Sequence, residues 1–568
     1  MLQTIVTILY VLLILTVVVV ILVDNGDSGR KFAWLLIIAA IPLFGILLYF
    51  MFGINYRHHW IFNRRHQKYK DIFEKETNED LNRILFGHDT EALVREDFRP
   101  LAEMMGRGAY PSVTAGNDVE IITEGKRKFE LLSQDILQAR ESIHMEYFHF
   151  GNDKGSRAIK ELLMQKAREG VKVRFINENI ANFPISSKYY DDMREAGVEV
   201  VRFTNPRAHL FDLVTTLNYR NHRKIVVIDG KIGYTGGMNI NDHYFEHWRD
   251  THMRLTGKAV ASLQYAFMDS WLTGGGTIDR PMLEYYPMAI PLPSDKITPL
   301  HPRGGLRGVP LRLPESPRSE SEGKAAAVTL AGETTATLGT LRGGTGAERS
   351  VASGGAERSE AVEPPEVAAA ASTAYISPMP SGRILRSKVM QIVPDEPDLP
   401  LPMLLYSYEW AITHAKKYIW FQTPYFVPPE PVLDAMKIAA LTGVDIRLML
   451  PEVADNFITR PANRAYYEEI LGAGVRIFLR QGEFIHSKTF VCDDYLSSIG
   501  SANMDARSFG INYEINTYIY DEEAALVNKT IFEEDLKQCR ELTLEEWSRR
   551  PWYKRLLESV IRLFAPLL

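Results

Sequence analysis

His222, Lys224 and Asp229 stand in the pattern H-x-K-x4-D within the stretch HRKIVVID. His486, Lys488 and Asp493 repeat it within HSKTFVCD. Their companions repeat too. Seven residues beyond each aspartate comes a glycine, Gly236 or Gly500, opening the turns GGMN and GSAN. Asn239 and Asn503 fall ten residues beyond each aspartate, and an acid falls twenty-one beyond, Asp250 in one copy and Glu514 in the other. One H-x-K-x4-D match in a chain of 568 residues is a weak signal. Two that keep their companions at the same offsets are a strong one.

These residue types suit phosphoryl chemistry. A phosphodiester needs its non-bridging oxygens neutralised, a task for Lys224, Lys488, Asn239 and Asn503, with Ser501 in the second turn. It also needs a nucleophile and an acid for the leaving group, and one histidine can serve each role. A covalent phosphohistidine would divide one hard displacement into two easier ones. Asp250 and Glu514 are the carboxylates to orient the rings and support their charge. One copy of the motif has a nucleophile but no acid, so both copies must converge. Asp229 and Asp493 complete the motif and are counted with the catalytic set. Their place beyond the apolar run favours a structural or ion-pairing role. No divalent-metal cluster stands out and no cofactor is required. Cys492 and Cys539 are the only cysteines and form no CxxC pair, which argues against a zinc site or a disulfide framework.

The elements that carry these groups follow from periodicity. Residues i and i+2 of a strand share a face, so His222 points with Lys224 and His486 with Lys488. Around the motifs, β-branched runs alternate with amphipathic helical stretches, which predicts an α/β fold. GVKVRF is echoed by GVDIRL, and YDDMREAGVEV by YEEILGAGVRI. The expected architecture is therefore two tandem halves, 118–292 and 386–545, related by a pseudo-twofold, each with a mixed, largely parallel sheet flanked by helices. ESIHMEYFHF and KYIWFQTPYF occupy equivalent places and make Tyr147 and Tyr425 candidates for a substrate wall. Between the halves, Pro287 to Thr373 holds no aromatic residue and GAERS occurs twice. Residues 293–385 read as a low-complexity, disordered insertion.

The N-terminus points to a membrane. Met1 to Val23 and Phe32 to Tyr56 carry no charged side chain, and each run can span a hydrocarbon core. The first run lacks the basic start and A-x-A exit of a cleaved signal peptide. The second is followed by Arg57, Arg64, Arg65, Lys68 and Lys70 without an acid, whereas the loop between the runs sets Arg30 and Lys31 beside Asp24 and Asp27. Charge bias thus predicts a two-helix hairpin over 1–56, a basic juxtamembrane linker and lead-in over 57–117, and a cytoplasmic body. Trp34, Tyr49, Tyr56 and Trp60 are spaced as interfacial aromatics. A net charge of −6 argues against a generic nucleic-acid binder. Residues 546–568 form an amphipathic helical pattern that fits either a terminal helix docked on the body or an interfacial membrane helix.

At NHRKIVVIDGKIGYTGGMN and IHSKTFVCDDYLSSIGSAN the chain resembles the phospholipase D superfamily. Within it, the N-terminal membrane runs, QTPYFVPPEPVLDAM, IGSANMDARSFGINYEIN and FEEDLKQCRELTLEEWSRR resemble bacterial cardiolipin synthases. The resemblance covers nearly all the chain except 293–385. It implies a multi-pass phosphatidyltransferase of the bacterial inner membrane, acting on phosphatidylglycerol to give cardiolipin and glycerol. It further implies His222 as nucleophile and His486 as acid, then base; the residues alone do not order them. Two alternatives share the motifs: a phospholipase D-type hydrolase, and a synthase using another phosphatidyl donor.

Overall fold

The computed structural model describes residues 2–23, 28–49, 79–87, 90–108, 111–203, 219–287, 383–397, 399, 401–455 and 459–563. In the first half the β-branched runs form β1 (Thr114–Ile122), β2 (Ser142–Tyr147), β3 (Lys172–Glu178), β4 (Glu199–Phe203), β5 (Lys224–Ile228), β6 (Ile232–Gly236) and β7 (His252–Thr256). The second half gives β8 (Ile384–Asp395), β9 (Tyr418–Gln422), β10 (Asp445–Pro451), β11 (Arg476–Arg480), β12 (Thr489–Cys492), β13 (Leu496–Gly500), β14 (Glu514–Tyr520) and β15 (Cys539–Leu542). All fifteen join one sheet in the order β15-β11-β10-β9-β12-β13-β14-β8-β1-β7-β6-β5-β2-β3-β4.

Read outward from the central β1–β8 pair, the order β1-β7-β6-β5-β2-β3-β4 is matched by β8-β14-β13-β12-β9-β10-β11. The internal repeat is thus a pseudo-twofold passing between β1 and β8, which run antiparallel. Two expectations are corrected. The halves share one sheet instead of forming two, and within that sheet, among the described residues, parallel pairing is confined to β2–β3, β3–β4, β9–β10 and β10–β11. Each of those pairs is linked by a helical crossover. Around the motifs the turns are too short to return the chain in the same direction: Ile228 pairs with Ile232 and Cys492 with Leu496, so three residues reverse it.

The halves also share a core. Val119, Ile225, Met253 and Leu263 of the first half pack in one cluster with Ile499, Ile515 and Ile519 of the second. Each such burial stabilises by roughly 1.5–3 kcal/mol, so neither half is expected to hold its shape alone. Within the lead-in stretch, the helices Glu79–Phe86 and Arg99–Arg107 bury Leu81, Leu85, Leu101 and Met105 in these cores.

The N-terminal hairpin differs from expectation. Leu2–Val23 is one helix of 22 residues, and among the described residues it alone is long and apolar enough to cross a membrane. The second run is two helices, Ser28–Ala40 and Pro42–Leu48. Pro42 has no N–H to continue the helical ladder, and its ring drives Ile41 out of helical geometry, to φ −140° and ψ 77°. Glycine lets the pieces fold together: a Cβ on Gly45 would lie 2.9 Å from the Ile37 carbonyl oxygen. Trp34 and Tyr49 pack edge to face at 5.6 Å inside the hairpin. Asp24, Asp27, Tyr56, Trp60, the basic run 57–70 and residues 293–382 of the expected insertion lie outside the described residues.

Candidate active site

β5 and β12 occupy corresponding places in the sheet, and each motif histidine lies just before its strand. The apolar residues that follow are buried and fix the strand in the core. Each histidine is then tied to the opposite half through its backbone. The His222 N–H donates to the Tyr513 carbonyl at 2.9 Å, and the His486 N–H donates to the Arg249 carbonyl at 2.7 Å. Phe484–Ile485 also pairs with Trp248–Arg249, as Asn221 does with Tyr513.

The side chains follow the backbone. His222 Nδ1 lies 3.0 Å from both carboxylate oxygens of Glu514. His486 Nδ1 lies 2.8 Å from Asp250 Oδ2. Each ring thus takes its carboxylate from the other half. Lys224 Nζ donates to the His222 carbonyl at 2.7 Å, with the Phe148 ring centre 5.3 Å away. Lys488 Nζ donates to the His486 carbonyl at 2.5 Å and also stands 2.7 Å from Nδ1 and 2.9 Å from Nε2 of that ring. Tyr244 and Trp248 flank the same imidazole, with ring centres 5.4 and 5.3 Å from it.

All six charged or titratable groups are buried, and burial dominates their protonation. It lowers His222 to about 4 against the pull of Glu514, and lowers His486 well below the usual imidazole range, with Lys488 and Lys224 acting in the same direction. It lowers Lys224 to about 7 and Lys488 to about 8. Burial raises Asp250 to about 6 despite Lys488 and the Thr251 N–H. Glu514 is pushed up by burial too, but His222, Lys224 and the Ser501 hydroxyl outweigh this and hold it at about 2.

The remaining expected residues divide. Ser501 Oγ donates to Glu514 Oε2 at 2.5 Å, and Asn512 Nδ2 to Oε1 at 3.2 Å. Asn239 accepts from the His149 N–H and donates to Tyr244 OH, holding the wall around His486. Asn503 is buried nearby, its backbone N–H bonded to Ser508 Oγ. Asp229 and Asp493 are not in the cluster, which corrects their place in the catalytic set. Seven residues beyond each histidine, about 20 Å along the strand, they take left-handed backbone angles (φ 52° and 49°). There Asp229 accepts the N–H groups of Arg140, Glu141 and Ser142, and Asp493 those of Lys416, Lys417 and Tyr418. They clamp the hairpins. Tyr147 is likewise corrected: it is buried in the core, with Lys128 Nζ 4.8 Å from its ring centre. Tyr425 does stand by the site, its ring centre 6.4 Å from that of His486.

Sequence comparison of the halves misses two arginines. Arg223 donates to the Glu514 carbonyl and to Glu396 Oε1. Arg249 donates to Ser487 Oγ, the Asp250 carbonyl and Asp535. Each ties a histidine segment of one half to an acid segment of the other, but one follows its histidine and the other precedes its acid.

The comparisons with known proteins agree with this architecture. The family described as cardiolipin synthase, PLD-like domain, matches residues 132–271 and 409–536, and the phospholipase D-nuclease N-terminal family matches 11–53. A cardiolipin synthase of Halalkalibacterium halodurans is 31% identical over 558 residues, covering 96% of this chain and 90% of that one. The major cardiolipin synthase of Bacillus subtilis is 31% identical over 553 residues, covering 96% and 95%. In fold, the chain is similar to the crystal structure of a phosphatidylserine synthase from Haemophilus influenzae, with a TM-score of 0.50 and 12% identity, covering 79% of this chain and 95% of that one. The chain belongs to the cardiolipin synthase family of the phospholipase D superfamily.

Proposed function

We propose that the protein transfers a phosphatidyl group from one phosphatidylglycerol to another, giving cardiolipin and glycerol through a phosphohistidine. The observation that carries this reading is the buried cluster in which two histidines, each paired with a carboxylate of the other half, stand with two lysines. Donation from His222 Nδ1 to Glu514 leaves the Nε2 lone pair to attack phosphorus. The P–N bond forms, the P–O bond to the glycerol headgroup breaks, and His486 gives its proton to the departing oxygen. A second phosphatidylglycerol then loses its primary hydroxyl proton to His486 as its oxygen attacks, and the P–N bond breaks. The contacts favour this order, because Lys488 crowds Nε2 of His486 whereas Lys224 bonds the backbone of His222.

The phosphodiester anion offsets the cost of burying cations. It draws Lys488 off the ring, and His486 takes up the proton that it later donates. Lys224 and Lys488 neutralise the non-bridging oxygens, and the Asn239 and Asn503 amides donate hydrogen bonds to them. The catalytic halves are 118–292 and 386–545, joined by the insertion 293–385. Charge bias places this body on the cytoplasmic side of the inner membrane, with the N-terminal hairpin as a multi-pass anchor. Tethering removes a diffusional search for substrates that live in the bilayer.

The test is product analysis of the full-length protein in phosphatidylglycerol vesicles. Equal amounts of cardiolipin and glycerol are expected. Phosphatidic acid without cardiolipin would establish hydrolysis instead, and cardiolipin formed only with another phospholipid present would reassign the donor. His222→Ala and His486→Ala should each lose roughly 10²–10⁴-fold in turnover with folding and membrane insertion kept. Wild-type turnover in either variant overturns the site.

A further inference from the structure

The C-terminal helix Trp552–Leu563 is docked with its charged side inward. Glu558 is buried and accepts from Arg550 at 2.7 Å. Arg555 donates to Glu468 and Arg562 to Glu469, each at 2.9 Å. The apolar side faces out. Trp552 and Leu563 are 73% and 72% exposed, and Tyr553, Leu556, Leu557 and Val560 lie between 44% and 57%. Soluble surfaces seldom leave such a contiguous apolar stripe uncovered.

Charge says what covers it. From Arg549 to Leu563 there are five basic residues against the single acid Glu558, in a chain whose net charge is −6. Glu558 is buried, while Arg549 and Lys554 are exposed. An apolar stripe with aromatic residues at one end and basic residues beside it matches the interface of an anionic bilayer. The helix also stands close to the site. It packs on the helix Thr459–Arg464, whose Asn463 side chain bonds Pro424 and Phe426, the neighbours of Tyr425.

We propose that the exposed face of Trp552–Leu563 lies in the interface of an anionic phospholipid bilayer, as a second membrane contact that turns the Tyr425 side of the histidine site toward the lipid. The proposal rests on reading the chain as an enzyme of membrane phospholipids, but its first test needs no turnover. A polarity-sensitive fluorophore is placed on Leu557→Cys in the full chain carrying Cys539→Ser, reconstituted in phosphatidylglycerol and phosphatidylethanolamine vesicles. The same label on Lys417→Cys, exposed at the opposite ends of the strands, is the control. Spin-labelled lipid acyl chains should quench position 557 several-fold more than position 417, and aqueous iodide should do the reverse. Equal access of iodide to both positions overturns the proposal. So does protection of 557 from both quenchers, which would mean that protein covers the face, a second copy or another segment of this chain. In a second arm, Leu556→Gln, Leu557→Gln and Val560→Gln together should lower turnover on vesicles about tenfold and leave turnover of a short-chain, monomeric phosphatidylglycerol unchanged. Equal loss on both substrates overturns the proposal.

Discussion

The two histidine sites are built from the same strand and finished differently. At His222 the acid is Glu514, and Ser501 fills the space beside its carboxylate. At His486 the acid is Asp250, one methylene shorter, and the position matching Ser501 is Gly237. A Cβ on Gly237 would lie 2.2 Å from Asp250 Oδ1. The shorter acid therefore reaches its ring only because the backbone beside it is bare. The lysines differ as well, since Lys488 presses on both ring nitrogens of His486 while Lys224 bonds only to the His222 carbonyl. Duplication supplied two like strands, and the surroundings of their rings now differ, a difference that the proposed division into nucleophile and acid uses.

Removing the charge of each acid should break this comparison most sharply. Glu514→Gln should lower turnover by about 10²–10³-fold and suppress the phosphoenzyme seen in a rapid-quench burst. Asp250→Asn should cost about as much in turnover but act on the leaving-group step. The pH profile separates the two acids. Asp250 is raised to about 6, so it loses its charge as pH falls through 6, and kcat/KM should fall with it. Glu514, held at about 2, stays ionised over that range. The limb near pH 6 should therefore vanish in Asp250→Asn and persist in Glu514→Gln. An unchanged limb in both would show that another group sets it. On the basic side, Lys224 at about 7 and Lys488 at about 8 lose charge as pH rises, so binding of the phosphate anion should weaken there.

The duplication was legible because both copies keep the same offsets, from His222 to Lys224 along one strand, where the side-chain period is two, and from Asp229 to Asp250 across the hairpin that follows. The exchange of acids between halves was not legible. Offsets along the chain place Asp250 in the half of His222, and only the sheet closing about β1 and β8 brings it to His486. Arg223 and Arg249 were hidden because they stand at non-equivalent positions, where aligning the halves shows no match. The break in the second membrane run was not legible from its apolar composition: the missing N–H of Pro42 ends the first helix at Ala40.

The small residues sharpen the comparison with a smaller effect. Gly237→Ser places atoms where the Asp250 carboxylate lies and should cost about 10²-fold in turnover by displacing it from His486. Ser501→Gly removes one hydrogen bond to a charged oxygen, and at the lower end of such a bond's worth, about 1.5 kcal/mol, should cost roughly tenfold. Adding Asp250→Glu to Gly237→Ser copies the other half and should recover part of the loss. No recovery would mean that the backbone, not the side-chain volume, sets the difference between the halves.

The smallest effect on chemistry should come from the residues that complete both motifs. Asp229 and Asp493 stand at the ends of the hairpins away from the histidines, and in this respect the halves do not differ. Each carboxylate gathers three backbone N–H groups, which raises the cost of opening the turn. Asn tolerates the left-handed backbone angle but brings its own N–H₂ donor against those N–H groups. Asp229→Asn and Asp493→Asn should therefore each lower stability by about 1–3 kcal/mol, read as a lower Tm, with turnover of the folded enzyme within about twofold of wild type. Turnover lost as severely as in Glu514→Gln, with Tm unchanged, would return these aspartates to the chemistry and make the hairpin clamp incidental.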